Sequence, residues 1–335
     1  MERLVTDMTE TEILFDLLEK GISPAHAVSA CEKRLTDAGF EVVDYGTAWN
    51  LKAGGKYVIN HHETTLFAFT LPQNWSDREP AIRIAAAHTD FPCLRIKPSC
   101  DIQTNGYAQV NVEVYGGAIL NTWLDRPLGV AGRVAVRSGD VFTPKVVTFQ
   151  SEKNLMTIPN LAIHMNREVN KGVELNKQTE LLPICGLSDD ADYFLDFLAK
   201  ELAVKKEDIL DFELTIYNKE KPEFVGLNDE FISASRLDNL NSCSALVSAI
   251  IDSDRADGMN LIALFDHEEI GSRSKQGAGS ILLHDMLVRI LTECGLEKEV
   301  WNRLYNSMIL SVDVAHGIHP NYAGKMDLTN KPVLG

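Results

Sequence analysis

The chain opens on a helical stripe. Ile13, Leu14, Leu17 and Leu18 recur at helix spacing and the run stops at Gly21. Ser23-Pro24 then begins a second helix, with Pro24 suited to its first turn, carrying Ala27, Val28, Cys31 and Leu35 and ending near Gly39. The period then shortens. Residues 56–60 and 65–71 read as short strands, and 81–87 (AIRIAAA) as a buried one that runs directly into His88-Thr89-Asp90. From about Leu94 to Gly226 the sequence is dominated by alternating runs and turns, at 109–115, 129–137, 141–149 and 212–218, with one helical interval at 189–202. Beyond Gly226 helices and strands alternate: helix 239–253, strand 260–265, helix 279–294, strand 307–314.

Such alternation predicts an α/β fold, a mostly parallel sheet flanked by helices. The expected arrangement is a catalytic domain made from residues 1–93 plus 227–335, with a largely β domain, 94–226, inserted between them. Length agrees with about two domains: the chain has 335 residues. Its 48 acidic against 32 basic side chains give a net charge of −16, which argues against nucleic acid or an anionic membrane as partner. No stretch approaches the roughly 18 apolar residues of a membrane span. The N-terminus lacks a basic start followed by an apolar run, and the six cysteines show no CxxC spacing. A cytoplasmic protein with reduced thiols is the expectation.

The candidate chemistry sits at strand ends. His88 and Asp90 follow one predicted strand, Asp266-His267-Glu268-Glu269 follows a second, and Asp313 lies near the end of a third. In open α/β sheets ligands bind beyond the carboxyl ends of the strands, so these side chains would share one rim. Asp238 precedes a predicted helix and, taken alone, reads as its N-cap. Glu268 and Glu269, taken alone, read as solvated charges. Together the acids would repel one another unless a cation sat among them, and imidazole plus carboxylates suits zinc, cobalt or manganese.

Further stretches complete the pattern: Ser23-Pro24-Ala25-His26-Ala27-Val28, Tyr115-Gly116-Gly117, Thr122 to Leu128 (TWLDRPL), Ile158 to Met165 (IPNLAIHM), Ser235-Arg236-Leu237-Asp238-Asn239, Val312 to Gly317 (VDVAHG) and Pro320-Asn321-Tyr322. In this order, from the N-terminal helices to the last residue, they resemble the aspartyl aminopeptidase family of the zinc metallopeptidase clan. The resemblance implies two divalent metal ions, held by His88, Asp238, Glu269 and Asp313, with Asp238 bridging. It implies Glu268 as general base on the attacking water and Asp90 as the carboxylate orienting the His88 imidazole. His164 would reach a neighbouring protomer's active site and help stabilise the tetrahedral intermediate. The implied substrates are peptides with an acidic first residue, Asp or Glu, and the implied assembly is a homo-oligomer built from dimers.

Family members run on past residue 335, where another His ligand and substrate-selecting residues are expected, so the chain reads as C-terminally truncated. Two alternatives follow: a non-catalytic binding or assembly module, and another hydrolase of the clan, a deacylase or glutamyl aminopeptidase.

Overall fold

The computed structural model describes residues 8–76, 80–172 and 174–334. Two helices lead: α1 (Glu10–Lys20) and α2 (Pro24–Asp37). Thr9 and Glu12 close a reciprocal capping box on α1, and Ser23 caps α2 with Pro24 at its first turn. The strands are β1 (Glu41–Val42), β2 (Lys56–His61), β3 (Thr65–Thr70), β4 (Ile82–His88), β5 (Cys93–Thr104), β6 (Tyr107–Tyr115), β7 (Leu128–Val136), β8 (Lys145–Gln150) and β9 (Ile184–Gly186). Then come α3 (Tyr193–Glu201), β10 (Ile209–Asn218), β11 (Glu223–Val225), β12 (Phe231–Ser233) and α4 (Leu237–Ile251). The chain continues through β13 (Met259–Phe265), α5 (Leu282–Glu293), α6 (Val300–Tyr305) and β14 (Met308–Ser311).

The first sheet has the order β1-β2-β3-β13-β4-β14. It is parallel from β13 through β4 to β14 and between β1 and β2, but antiparallel on both sides of β3. The reason is connection length. Only residues 62–64 join β2 to β3, enough for a hairpin and far too few for a crossover. Alternation along β13 feeds both faces. Ile262 and Leu264 pack with α1, α2 and α4, while Leu261, Ala263 and Phe265 pack with α5 and Val300 of α6. The sheet is thus the middle of three layers, and its central strands β3, β4 and β13 are mostly apolar.

The second sheet, β8-β7-β10-β5-β6-β9, is antiparallel and carries α3 on one face. Its long strand β5 had no separate signature in the sequence pattern, since Lys97, Pro98 and Ser99 interrupt the alternation. The structure absorbs that interruption as a register shift between Ile96 and Asp101. A small hairpin, β11-β12, straddles the expected boundary at 226. The 138–144 segment, read as turn and strand start, is a longer loop held by Asp140 and Ser138, and β8 begins only at Lys145.

Among the described residues no helix is long and apolar enough to cross a membrane. All six cysteines are free.

Candidate metal centre

Register decides what meets at the rim. Phe265 of β13 pairs with His88, the last residue of β4, and Ser311 of β14 pairs with Ala86. Asp313, two residues past Ser311, therefore comes level with His88, and Glu268 lies three residues past Phe265. Asp238 arrives from another direction, at the start of α4. Its backbone (φ −83°, ψ 108°) is not helical and it makes no capping bond, so the N-cap reading of Asp238 does not hold. The residue in that place is Arg236, in the left-handed region at φ 65°. Its guanidinium donates to the carbonyls of Leu18 (2.7 Å) and Asn218 (3.3 Å), tying the segment to the end of α1 and to β10. Asn239 donates to the Val312 carbonyl at 3.0 Å and Cys243 to the His88 carbonyl at 3.1 Å. These bonds pin α4 against both β14 and β4.

One ligand atom each from His88, Asp238 and Asp313 lies within 4.8 Å of the others. The His88 Nε2 is 3.3 Å from Asp238 Oδ1, 3.7 Å from Asp313 Oδ1 and 3.7 Å from Glu268 Oε2. Behind the imidazole, Nδ1 faces the Asp90 carbonyl at 3.0 Å and its carboxylate at 3.4 Å. The Asp90 carboxylate is fully buried and fully partnered. Oδ1 accepts from the Glu268 N–H (3.1 Å); Oδ2 accepts from the Glu269 N–H (3.1 Å) and the Tyr115 hydroxyl (2.6 Å). Glu268 and Glu269 open a single 3-10 turn, Glu268–Ile270, preceded by His267 at φ 66°. Asp90 therefore satisfies the free N–H groups at that turn's start.

The electrostatics have one theme. Burial, reinforced by the neighbouring Asp313 carboxylate, raises the Asp238 pKa. Burial, reinforced by Asp238, pushes Glu269 up to about 7. For His88, burial alone would lower the pKa, but the bond to Asp90 and the charges of Asp90 and Glu268 outweigh it and raise it to about 9. Asp90 stays below the ordinary carboxylate range because the His88 and Tyr115 bonds overcome its burial. Burial and the Asp90 charge raise Tyr115, so its hydroxyl keeps its proton and donates. Two carboxyls with raised pKa values, Asp238 and Glu269, beside an imidazole whose pKa is also raised mark a site short of positive charge. One nitrogen and several carboxylate oxygens facing that point form a donor set suited to a divalent transition metal.

The structure thus brings His88, Asp90, Asp238, Glu268 and Asp313 together. Glu269 flanks them, its side chain against Gly116, whose φ is +71° and where an added Cβ would lie 3.0 Å from the Glu269 Oε2. Glycine fits there on both counts. His164 sits apart, on an exposed turn of the loop that follows Ile158. Tyr115, Gly116, Asn239 and Cys243 had no individual role in the sequence reading; the first three lay inside quoted stretches, Tyr115-Gly116-Gly117 and Ser235 to Asn239, and Cys243 carried no signal. A cavity of about 450 Å3 opens beside Asp238, lined by Phe91, Trp123, Arg126, Tyr217 and Arg236 among others.

An α/β sheet that carries imidazole and carboxylates beyond the ends of its parallel strands, with a further carboxylate beside them, has the architecture of a metal-dependent hydrolase. Residues 17–335 match the family Aminopeptidase I zinc metalloprotease (M18). A probable M18 family aminopeptidase 2 of Clostridium novyi is 41% identical over 327 residues, an alignment spanning 96% of this chain and 75% of the relative. Among solved structures, the complex of Ape4 with Nbr1 superposes with a TM-score of 0.88 at 32% identity, covering 99% of this chain and 69% of that one. Chaetomium thermophilum mApe1 superposes with a TM-score of 0.85 at 28% identity, covering 96% and 78%. The chain belongs to the M18 aminopeptidase family of zinc metallopeptidases.

Proposed function

We propose that this aminopeptidase removes acidic residues, Asp or Glu, from the N-termini of peptides, using two divalent ions and Glu268 as general base. The observation that carries the reading is the convergence of His88, Asp238 and Asp313 within 4.8 Å with Glu268 beside them. His88, Asp238, Glu269 and Asp313 would hold the metal, zinc by the family's nature, with cobalt or manganese as substitutes. When bound, such ions polarise a carbonyl and make water a stronger acid.

The chain's own residues supply the rest. Glu268 is half-exposed, so a water can reach it. Its carboxylate takes the proton from the attacking water and passes it to the leaving amine. Asp90 holds the imidazole of His88 from behind and, through the same carboxylate, fixes the backbone from which Glu268 and Glu269 project. The cavity beside Asp238 has room for a peptide side chain and lies next to the reacting centre. His164 is proposed to act on the active site of a neighbouring protomer. In support, its loop presents Leu161, Ile163 and Met165 to solvent, an apolar group suited to a contact between copies. On that reading the protein is a homo-oligomer of dimers.

Release of Asp, Glu and Leu from aminoacyl chromogenic amides, with and without zinc, cobalt or manganese, tests this. The expected result is metal-dependent cleavage with Asp and Glu ahead of Leu. A faster rate on Leu would overturn the acidic preference, and metal-independent rates would overturn the mechanism.

A further inference from the structure

We propose that Tyr115, on the second sheet, is a positioning residue for the metal centre of the first, acting through Asp90. The inference rests on the reading of His88, Asp238, Glu269 and Asp313 as metal ligands.

The placement follows from register. Strand β5 begins at Cys93, three residues after Asp90, and β6 runs back along it with Cys93 opposite Tyr115. The hairpin therefore returns the last residue of β6 to the start of β5, beside the metal-bearing rim. There the Tyr115 hydroxyl donates to Asp90 Oδ2 at 2.6 Å, the shortest of the three donors on that carboxylate. Tyr115 is itself buried, and an arginine covers its ring. The Arg95 guanidinium lies over it at 3.9 Å from the ring centre. Arg95 pairs with Glu213 of β10 at 3.0 Å, and Glu213 pairs with Arg133 of β7 at 2.5 Å. Three strands of the second sheet thus support one hydroxyl. The next residue, Gly116, is the one packed against the Glu269 side chain.

The consequence is mechanical. A carboxylate can turn about its last bond. With Oδ2 held by Tyr115, Oδ1 faces the Glu268 N–H and the His88 imidazole. Without the hydroxyl, Oδ2 keeps only the Glu269 N–H, and the orientation of the imidazole and of the Glu268–Glu269 turn relaxes together. The second sheet is then part of what aims the ligands, in addition to any role in assembly.

The test uses cobalt(II) bound to the full chain, read by competition with a chromophoric chelator and by its visible ligand-field bands. Tyr115→Phe removes one oxygen and keeps the ring. The expected result is a loss of cobalt affinity of about tenfold, the lower end for groups supporting a metal ligand, with shifted bands. In an Asp90→Asn background the same substitution should add no further loss, because its effect passes through Asp90. Val112→Ala, a buried change on the same strand away from Asp90, should lower the melting temperature and leave cobalt affinity unchanged. Wild-type affinity and bands in Tyr115→Phe, additive losses with Asp90→Asn, or an equal cobalt loss in Val112→Ala would each overturn the proposal. Failure of the unsubstituted chain to bind cobalt would instead sink the metal-site reading on which it rests.

Discussion

The two sides of the metal centre are built on opposite principles. His88 and Asp90 are 4% and 0% exposed, and every polar atom of the Asp90 carboxylate has a partner. The side chains of Asp238, Glu268 and Asp313 keep 53%, 48% and 52% of their surface, and one oxygen of each lies 3.3, 3.7 and 3.7 Å from the His88 imidazole. The buried side contributes to folding whether or not a cation is present, because breaking it would leave polar groups unpaired in the interior. The exposed side crowds like charges at a cost that a cation removes. One side is finished by the fold and the other by the ligand.

That contrast can be broken by substitution. The largest expected effect is on activity: Glu268→Gln should lower kcat by about 10²- to 10⁴-fold, the usual contribution of a general base, while metal content and melting temperature stay unchanged. Steady-state rates with metal analysis on the same sample decide it. Loss of metal along with activity would make Glu268 a ligand. Next comes Asp90→Asn, which leaves a buried amide where three donors expect a carboxylate. Metal affinity should fall about 10- to 100-fold, and the metal-free chain should lose about 1–3 kcal/mol in urea unfolding.

On the exposed side the sign should reverse. In chelator, Asp238→Asn and Asp313→Asn should leave the melting temperature unchanged or slightly raised, because each removes one of two neighbouring like charges. Their metal affinity should nevertheless collapse in a chelator competition. A clear destabilisation of the metal-free chain by either would erase the contrast between the two sides.

The smallest effect is a pH dependence. Glu269 has its folded-state pKa raised to about 7 from an ordinary 4.5, chiefly by burial and then by Asp238. A raised carboxylate favours the folded state while protonated in it, so its contribution is fully present below pH 4.5 and is lost as pH rises to about 7. The metal-free chain should therefore lose stability relative to Glu269→Gln across that window. Parallel melting curves from pH 4.5 to 7 would refute this.

The pattern of apolar residues was sufficient for much of this picture. The end of the first helix at Gly21, both ends of the second at Pro24 and near Gly39, the strand before His88, and the strand before Asp266 stand in the structure within one or two residues of the predicted limits. Each has a strong period or an uninterrupted apolar run. The exposed-looking strand start at 141 failed because Val141 and Phe142 are apolar residues on a loop, a case in which composition imitates a strand. β5 was hard to read because its charged and prolyl residues sit where the sheet shifts register, and β14 is shorter than its apolar run suggested.

By itself, then, the sequence determined the α/β class, the main elements, the family and the residue types placed at the strand ends, because these depend on local period and on side chains adjacent in the chain. Only the tertiary structure decided which atoms meet. Three-dimensional register brings Asp313 level with His88, and the left-handed turn at Arg236 swings Asp238 into reach. The β5–β6 hairpin, in turn, carries Tyr115 back to Asp90, a residue 25 positions away in the chain. Strand pairing and helix packing are long-range contacts whose free energy is shared over whole layers, so no local pattern of residues records them.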